Sequence, residues 1–243
     1  MKKIIGFIVS AMLFSFALYA KSLPSISIEV PKDASVQVRV KTANGSEVQI
    51  TGSETKTISG ADEVRELGEE KEMQTLVASD GKITFTGDIR EFDIKDNKNV
   101  TAIDVSNCPK LEVLYCAGNV ISSLDLSKNK KLERVQCYNN KLSTLDVKNQ
   151  KSMTMLWCGI NELTALDLSA CKKLTQLRCY RNAFDQAAMD ALVRSLPKQK
   201  TAAEARVRFV GKDISNALPS SDAILVANKN GWKILDSDNS EIK

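Results

Sequence analysis

The sequence predicts a mainly β fold: a right-handed repeat solenoid, preceded by a small all-β domain and closed by an α/β cap. Three observations predict it. Four stretches, LEVLYCAGN, LERVQCYNN, MTMLWCGIN and LTQLRCYRN, begin at Leu111, Leu132, Met153 and Leu174, a constant stride of 21 residues. Residues 21–82 lack that stride and alternate apolar with polar residues, the period of a half-buried strand. After residue 184 the apolar residues Ala187, Met189, Leu192, Val193 and Leu196 fall at mostly helical spacing, stopped by Pro197.

The chain opens MKKIIGFIVSAMLFSFALYA. Lys2 and Lys3 form a basic start, Ile4 to Leu18 an apolar run, and Ala20 a small residue at a cleavage position, so residues 1–20 read as a secretory signal peptide. A membrane anchor is the alternative, but the run is short for a spanning helix. No cysteine near the cut suggests a lipid anchor. The expectation is an exported protein (secreted, surface-held or periplasmic) with no membrane-spanning segment in the mature chain.

Cleavage would leave 223 of the 243 residues and, with Lys2 and Lys3 gone, take the formal charge from +4 to about +2. That near balance gives no argument for a nucleic-acid partner. The chain contains no histidine. The commonest acid/base group at neutral pH is therefore missing, together with Ser-His-Asp and Cys-His nucleophile pairs and every histidine-based metal site. No enzyme, cofactor or metal is read from this composition.

Residues 21–82 form an N-terminal β-rich capping domain in this reading. SISIEV, SVQVRV and SEVQI are strands, separated by Pro31-Lys32-Asp33 and by Asn44-Gly45, a hairpin cue. Glu63 to Met73 is either one short helix or a charged loop, and Ser79-Asp80-Gly81 precedes another strand.

Residues 83–184 carry the repeats, with a degenerate forerunner from Ile89 that is one residue longer. Units of 20–29 residues patterned L-x-x-L-x-L-x-x-N/C are the signature of leucine-rich repeats, so the solenoid is read as that kind. In each unit Leu114 and Cys116, or their equivalents, point inward from a short parallel strand. Leu111, Ile121, Leu124 and Leu126 fill the rest of the interior. One unit cannot bury such a row alone; stacking makes one continuous core. Asn97, Asn119, Asn140, Asn161 and Asn182 close the strands, where an amide can both donate to and accept from buried backbone. A second polar row, Cys108, Asn129, Gln150 and Cys171, reads as structural. Asp104, Asp125, Asp146 and Asp167 recur on the outer side with many lysines, a spacing that the turn itself explains.

Cys116, Cys137, Cys158 and Cys179 stack in one column, where cysteine serves as a small apolar residue. Adjacent strands lie about 4.8 Å apart, whereas disulfide-linked Cβ atoms sit about 3.8 Å apart, so bridges would pinch the sheet. Six reduced cysteines are expected.

Residues 185–243 read as a cap with two short helices and terminal strands. ARVRFV is a strand, SSDAILVANKNG a helix capped by Ser221 or Asp222 and stopped by Gly231, and Trp232-Lys233-Ile234-Leu235 a last strand with Trp232 in the core.

The pattern LxxLxCxxNxLTxLDLSxN, clearest in MTMLWCGINELTALDLSAC, resembles the 21-residue cysteine-containing leucine-rich repeats of bacterial surface proteins, the internalin group and secreted proteins of Bacteroides-like bacteria. The resemblance runs from about Ile83 to Leu235. It implies recognition or adhesion, with a protein or glycan bound at the strand face. This chain departs from the group in having three full repeats, and it shows no C-terminal sorting segment.

The residues alternating with the inward ones are expected to face solvent. The candidate ligand-binding set on that face is Tyr115, Arg134, Gln136, Tyr138, Met155, Trp157, Arg178 and Tyr180, with Glu91 and Asp93 beside it. Such a mixture is what interfaces concentrate; cross-strand packing is the competing explanation. The expected function is an exported, non-catalytic recognition or adhesion module. The alternative is a structural accessory subunit of a cell-surface or periplasmic assembly.

Overall fold

The computed structural model describes residues 23–58, 73–199, 205–209, 216–236 and 240–241. The leader at 1–20 and all but Met73 of the helix-or-loop stretch lie outside the described residues. Among the described residues the chain is mainly β, with fourteen strands in two sheets and two helices near the C-terminal end.

The N-terminal strands are β1 (Ser25–Glu29), β2 (Ser35–Thr42), β3 (Val48–Thr51), β4 (Thr57–Ile58), β5 (Gln74–Val77) and β6 (Lys82–Thr86). The forerunner repeat supplies β7 (Ile89–Asp93) and β8 (Ala102–Asp104). One sheet is antiparallel, in the order β4-β3-β6-β1-β8. In the other, β7 pairs antiparallel with β2, which pairs antiparallel with β5. Alternation along β2 puts Val36, Val38 and Val40 inward, and along β6 it does the same for Ile83 and Phe85. Phe85 and Phe92 meet edge to face across the two sheets, with centroids 5.0 Å apart.

The strands flanking Asn44-Gly45 do not form the expected hairpin. β2 belongs to one sheet and β3 to the other, so the turn carries the chain across the sandwich. Gly45 does take a left-handed φ of 69°, and Thr42 Oγ1 donates to the Ser46 carbonyl at 3.0 Å. The local turn chemistry was legible; the partner of each strand was fixed instead by which apolar face had to be buried.

From β7 the sheet continues in parallel through β9 (Val113–Tyr115), β10 (Arg134–Gln136), β11 (Met155–Trp157), β12 (Gln176–Arg178), β13 (Arg206–Arg208) and β14 (Lys233–Leu235). Register is uniform: Leu114, Val135, Leu156, Leu177, Val207 and Ile234 align across the sheet and are buried. At about 1.5–3 kcal/mol for each fully buried large aliphatic side chain, this row and the leucines behind it offset the ordering of the long return segments.

The asparagines bind neighbouring repeats together. Asn161 Oδ1 accepts the Leu142 amide at 3.0 Å, and Nδ2 donates to the carbonyls of Cys137 at 3.0 Å and Cys158 at 3.2 Å. Asn140 and Asn182 make the same three contacts one repeat earlier and later. Asn216, which lies outside the period, extends the series by accepting the Asn182 amide and donating to Cys179 and Phe209. The second polar row behaves alike: Asn129 donates to Val105 and Cys108, Gln150 to Leu126, and Cys171 to Val147. On the outer side the Oδ1 of Asp104, Asp125, Asp146 and Asp167 accepts the amide two residues on, which is the turn that sets their spacing.

The first helix, α1 (Gln186–Ser195), begins where Asp185 accepts the Ala188 amide. The second, α2 (Ser221–Lys229), is capped by Ser220, not by Ser221 or Asp222. Ser220 holds the extended backbone that a cap requires, and its amide and hydroxyl both donate to Asp190 on α1, so one residue starts α2 and ties the helices together. Trp232 is core, with Nε1 donating to the Pro197 carbonyl at 2.7 Å.

Leu156→Ala is expected to destabilise the protein by about 2–5 kcal/mol, because the adjoining repeats cannot collapse onto the cavity. Asp146→Ala, on the exposed turn, should cost much less. Denaturant titration of both variants checks this, and equal losses would contradict the inward and outward assignments.

All six cysteines are buried and unbridged. Burial holds the thiols protonated, pushing Cys108 and Cys137 up to about 12 and Cys171 to about 11. The unfolded chain releases these protons near the ordinary thiol value while the folded chain keeps them. Stability from this source is thus complete below about pH 8.5 and falls as pH rises toward the folded values, by up to about 1.4 kcal/mol per pH unit per thiol. The expected result is no alkylation of the native protein at pH 8, six alkylations after unfolding, and a shallower alkaline loss of stability in Cys137→Val. A disulfide found by intact mass would contradict the buried column.

Candidate functional site

The outward side chains of the larger sheet form two rows. One runs through Glu91, Val113, Arg134, Met155, Gln176 and Arg206, the other through Asp93, Tyr115, Gln136, Trp157, Arg178 and Arg208. Just past the strands lie Ala117, Tyr138, Gly159 and Tyr180. The whole candidate set therefore sits on one sheet face.

Pointing outward does not make all of them accessible. Tyr115 and Met155 are each 6% exposed and Gln136 only 2%. In an in-register parallel ladder every outward side chain has neighbours about 4.8 Å away on both sides, so large residues cover one another. The Lys95 ammonium sits 5.6 Å from the Tyr115 ring centroid, and Gln136 Nε2 contacts Met155 Sδ at 4.0 Å. For these three residues cross-strand packing accounts for the position, and the expectation of an open surface is corrected.

Arg134, Tyr138, Trp157, Arg178 and Tyr180 keep part of their surface in solvent. The Arg178 guanidinium carbon lies 3.9 Å from the Trp157 ring centroid, a cation–π stack. Burial, and after it the neighbouring Arg208, draws Arg178 below its ordinary value, although a guanidinium stays charged throughout the physiological range. Burial likewise raises Tyr138, helped by Asp96 and Tyr180. Tyr180 leans over Gly159, where a Cβ would come within 2.9 Å of the Tyr180 carbonyl oxygen and 3.3 Å of two ring carbons. Glycine is what permits that approach.

Beside the stack is an open recess of about 390 Å³ lined by Trp157, Gln176, Leu177, Arg178, Arg206, Arg208 and Leu235. Arg206 and Arg208 were not in the sequence-derived set. Their signal was present in the alternation of ARVRFV, which reads as a cap strand but not as a continuation of the binding face.

Charge divides the face. Around β7 the cations are matched: Arg39 pairs with Asp93 at 2.8 Å, Lys95 with Asp93 at 3.7 Å, and Glu91 with Lys41 at 3.7 Å and Arg134 at 3.9 Å. From β10 to β14 no strand position on the face is acidic. Among the described residues no group of three or more His, Cys, Asp or Glu side chains could hold a metal ion, and no helix is long and apolar enough to cross a membrane. The arrangement offers stacking, hydrogen bonding and positive charge, which are the means of binding.

No protein-family model matches this chain, and no curated protein matches it. Among solved structures it is similar to the functional domain of InlJ from Listeria monocytogenes, which is described as including a cysteine ladder, at 27% sequence identity and a TM-score of 0.47. That match covers 61% of this chain and 29% of the other.

Proposed function

We propose that this chain is an exported, non-catalytic recognition or adhesion module of the leucine-rich repeat kind, binding a protein or glycan through the strand face. In this reading residues 1–20 direct export, 21–82 cap a right-handed solenoid at 83–184, and 185–243 close its far end. The location is outside the cytoplasm: secreted, at the cell surface or in the periplasm.

The observation that carries the proposal is the partly exposed Trp157–Arg178 stack between Tyr138 and Tyr180 on an open sheet face. Tryptophan, tyrosine and arginine dominate interface energetics, because each offers a large contact area together with a polar group. Arg134, Tyr138, Trp157, Arg178 and Tyr180 would touch the ligand. Tyr115, Gln136 and Met155 would form the packed bed that keeps them in place. A protein partner would desolvate the indole. A glycan would stack a sugar ring against the aromatics while Arg134 or Arg178 donated to its hydroxyls.

The test begins by surveying the mature protein against a glycan array and a panel of extracellular proteins, then titrating the strongest ligand by calorimetry. Trp157→Ala is expected to weaken binding by about thirtyfold, the equivalent of about 2 kcal/mol, while shifting Tm by only a few degrees. Lys148→Ala, on the outer side, should leave affinity unchanged. Unaltered affinity in a stable Trp157→Ala protein would remove this face as the site and direct attention to residues 21–82.

A further inference from the structure

Building on the strand face as the binding surface, we propose that its C-terminal end takes an extended acidic peptide segment of a protein partner, held in the recess between Trp157 and Arg206.

Charge complementarity is the first support. Arg178, Arg206 and Lys233 occupy three adjoining strands, and among the described residues no strand position on the face from β10 to β14 is acidic. Among the described residues no ion pair joins Arg178 or Arg206 to a carboxylate, whereas the cations at the β7 end are each matched. Arg178 is held by stacking on Trp157, and burial and Arg208 both disfavour its charge. A carboxylate brought in from outside would relieve that cost with charge-assisted hydrogen bonds to a guanidinium whose orientation is already fixed.

Spacing is the second support. Cations two residues apart on one strand, as Arg206 and Arg208 are, stand about 6.6–6.8 Å apart, the interval between side chains on one side of an extended peptide. Cations on adjacent strands stand about 4.8 Å apart. A peptide with an acid at every second residue can thus set one carboxylate at Arg206 while its neighbours reach Arg178 and Lys233 on the adjoining strands, with Gln176 available to its backbone. Leu235 and the Trp157 ring give the intervening side chains apolar contact.

The probe is a fluorescein-labelled heptapeptide with glutamate at alternate positions and serine between, read by anisotropy. A peptide of the same composition with its glutamates contiguous, an oligogalacturonate and a sulfated heparin oligosaccharide serve as competitors. The expected result is saturable binding of the alternating peptide, weakened as salt rises from about 50 to about 300 mM and the Debye length shrinks. Affinity should fall roughly tenfold in Arg178→Gln/Arg206→Gln and stay unchanged in Lys148→Gln. Should the double variant lose its fold, Arg206→Gln alone carries the test, since Arg206 is exposed and does not stack on Trp157. Three results would overturn the proposal: no saturable binding, binding that neither variant weakens, or tighter binding of either oligosaccharide. In each case the wider reading is judged separately: a partner lost on Trp157→Ala keeps the face as the site and removes only its acidic specificity.

Discussion

Buried backbone groups must find partners where each repeat leaves the sheet. The carbonyls of Cys116, Cys137, Cys158 and Cys179 sit beside fully buried side chains, at a turn where water is excluded. An unsatisfied buried group of this kind costs about 1–3 kcal/mol. One asparagine per repeat meets the need, donating to its own repeat and the one before while accepting an amide from the latter. The same side chain thus serves two repeats, and it does so even across the longer forerunner, where Asn119 donates to Ile94 and Cys116 and accepts the Val100 amide. The residue before the asparagine takes a left-handed conformation at Asp96, Gly118, Asn139, Ile160 and Arg181. Even a β-branched isoleucine accepts that cost of about 1 kcal/mol or more to keep the turn.

Once the turn is fixed, the position of every other side chain follows. Cysteine falls inward beneath the turn, where a small apolar residue fits between leucines. The alternate positions emerge on the sheet face in straight rows, and a row brings like positions close enough to pack. This explains why Tyr115, Gln136 and Met155 are covered while Trp157, with Gly159 two residues on, remains reachable. It also makes the face a rigid platform, because Arg134, Trp157 and Arg178 stand on strands, with Tyr138 and Tyr180 just past their ends. The proposed recognition through such a surface would spend little on ordering the site.

How much of this was legible in the sequence differs by element. The stride, the buried row and the asparagines could be read because they depend on local spacing, the first helix because its apolar residues recur at the helical period, and the second because a capping residue and a glycine stop bound it. The pairing of β2 and β3 could not: Asn44-Gly45 specifies a tight turn, but not whether the strands it joins share a sheet. Asn216 was hidden for a similar reason, as it joins the asparagine series from outside the period. The site was half legible. Alternation gave the direction of Trp157 and Arg178, but not their mutual stacking, nor the burial of Tyr115. Arg206 and Arg208 extend the same rows on a strand whose membership of the sheet only the three-dimensional pairing establishes.

Amide hydrogen exchange on the native protein and on Asn161→Ala measures the coupling between repeats. If one side chain couples two repeats, protection should fall at Leu142, whose amide Asn161 accepts, and at β10 and β11 together, while β7 keeps its native rate. A loss confined to the turn that carries Asn161, with Leu142 and β10 as protected as before, would contradict the account.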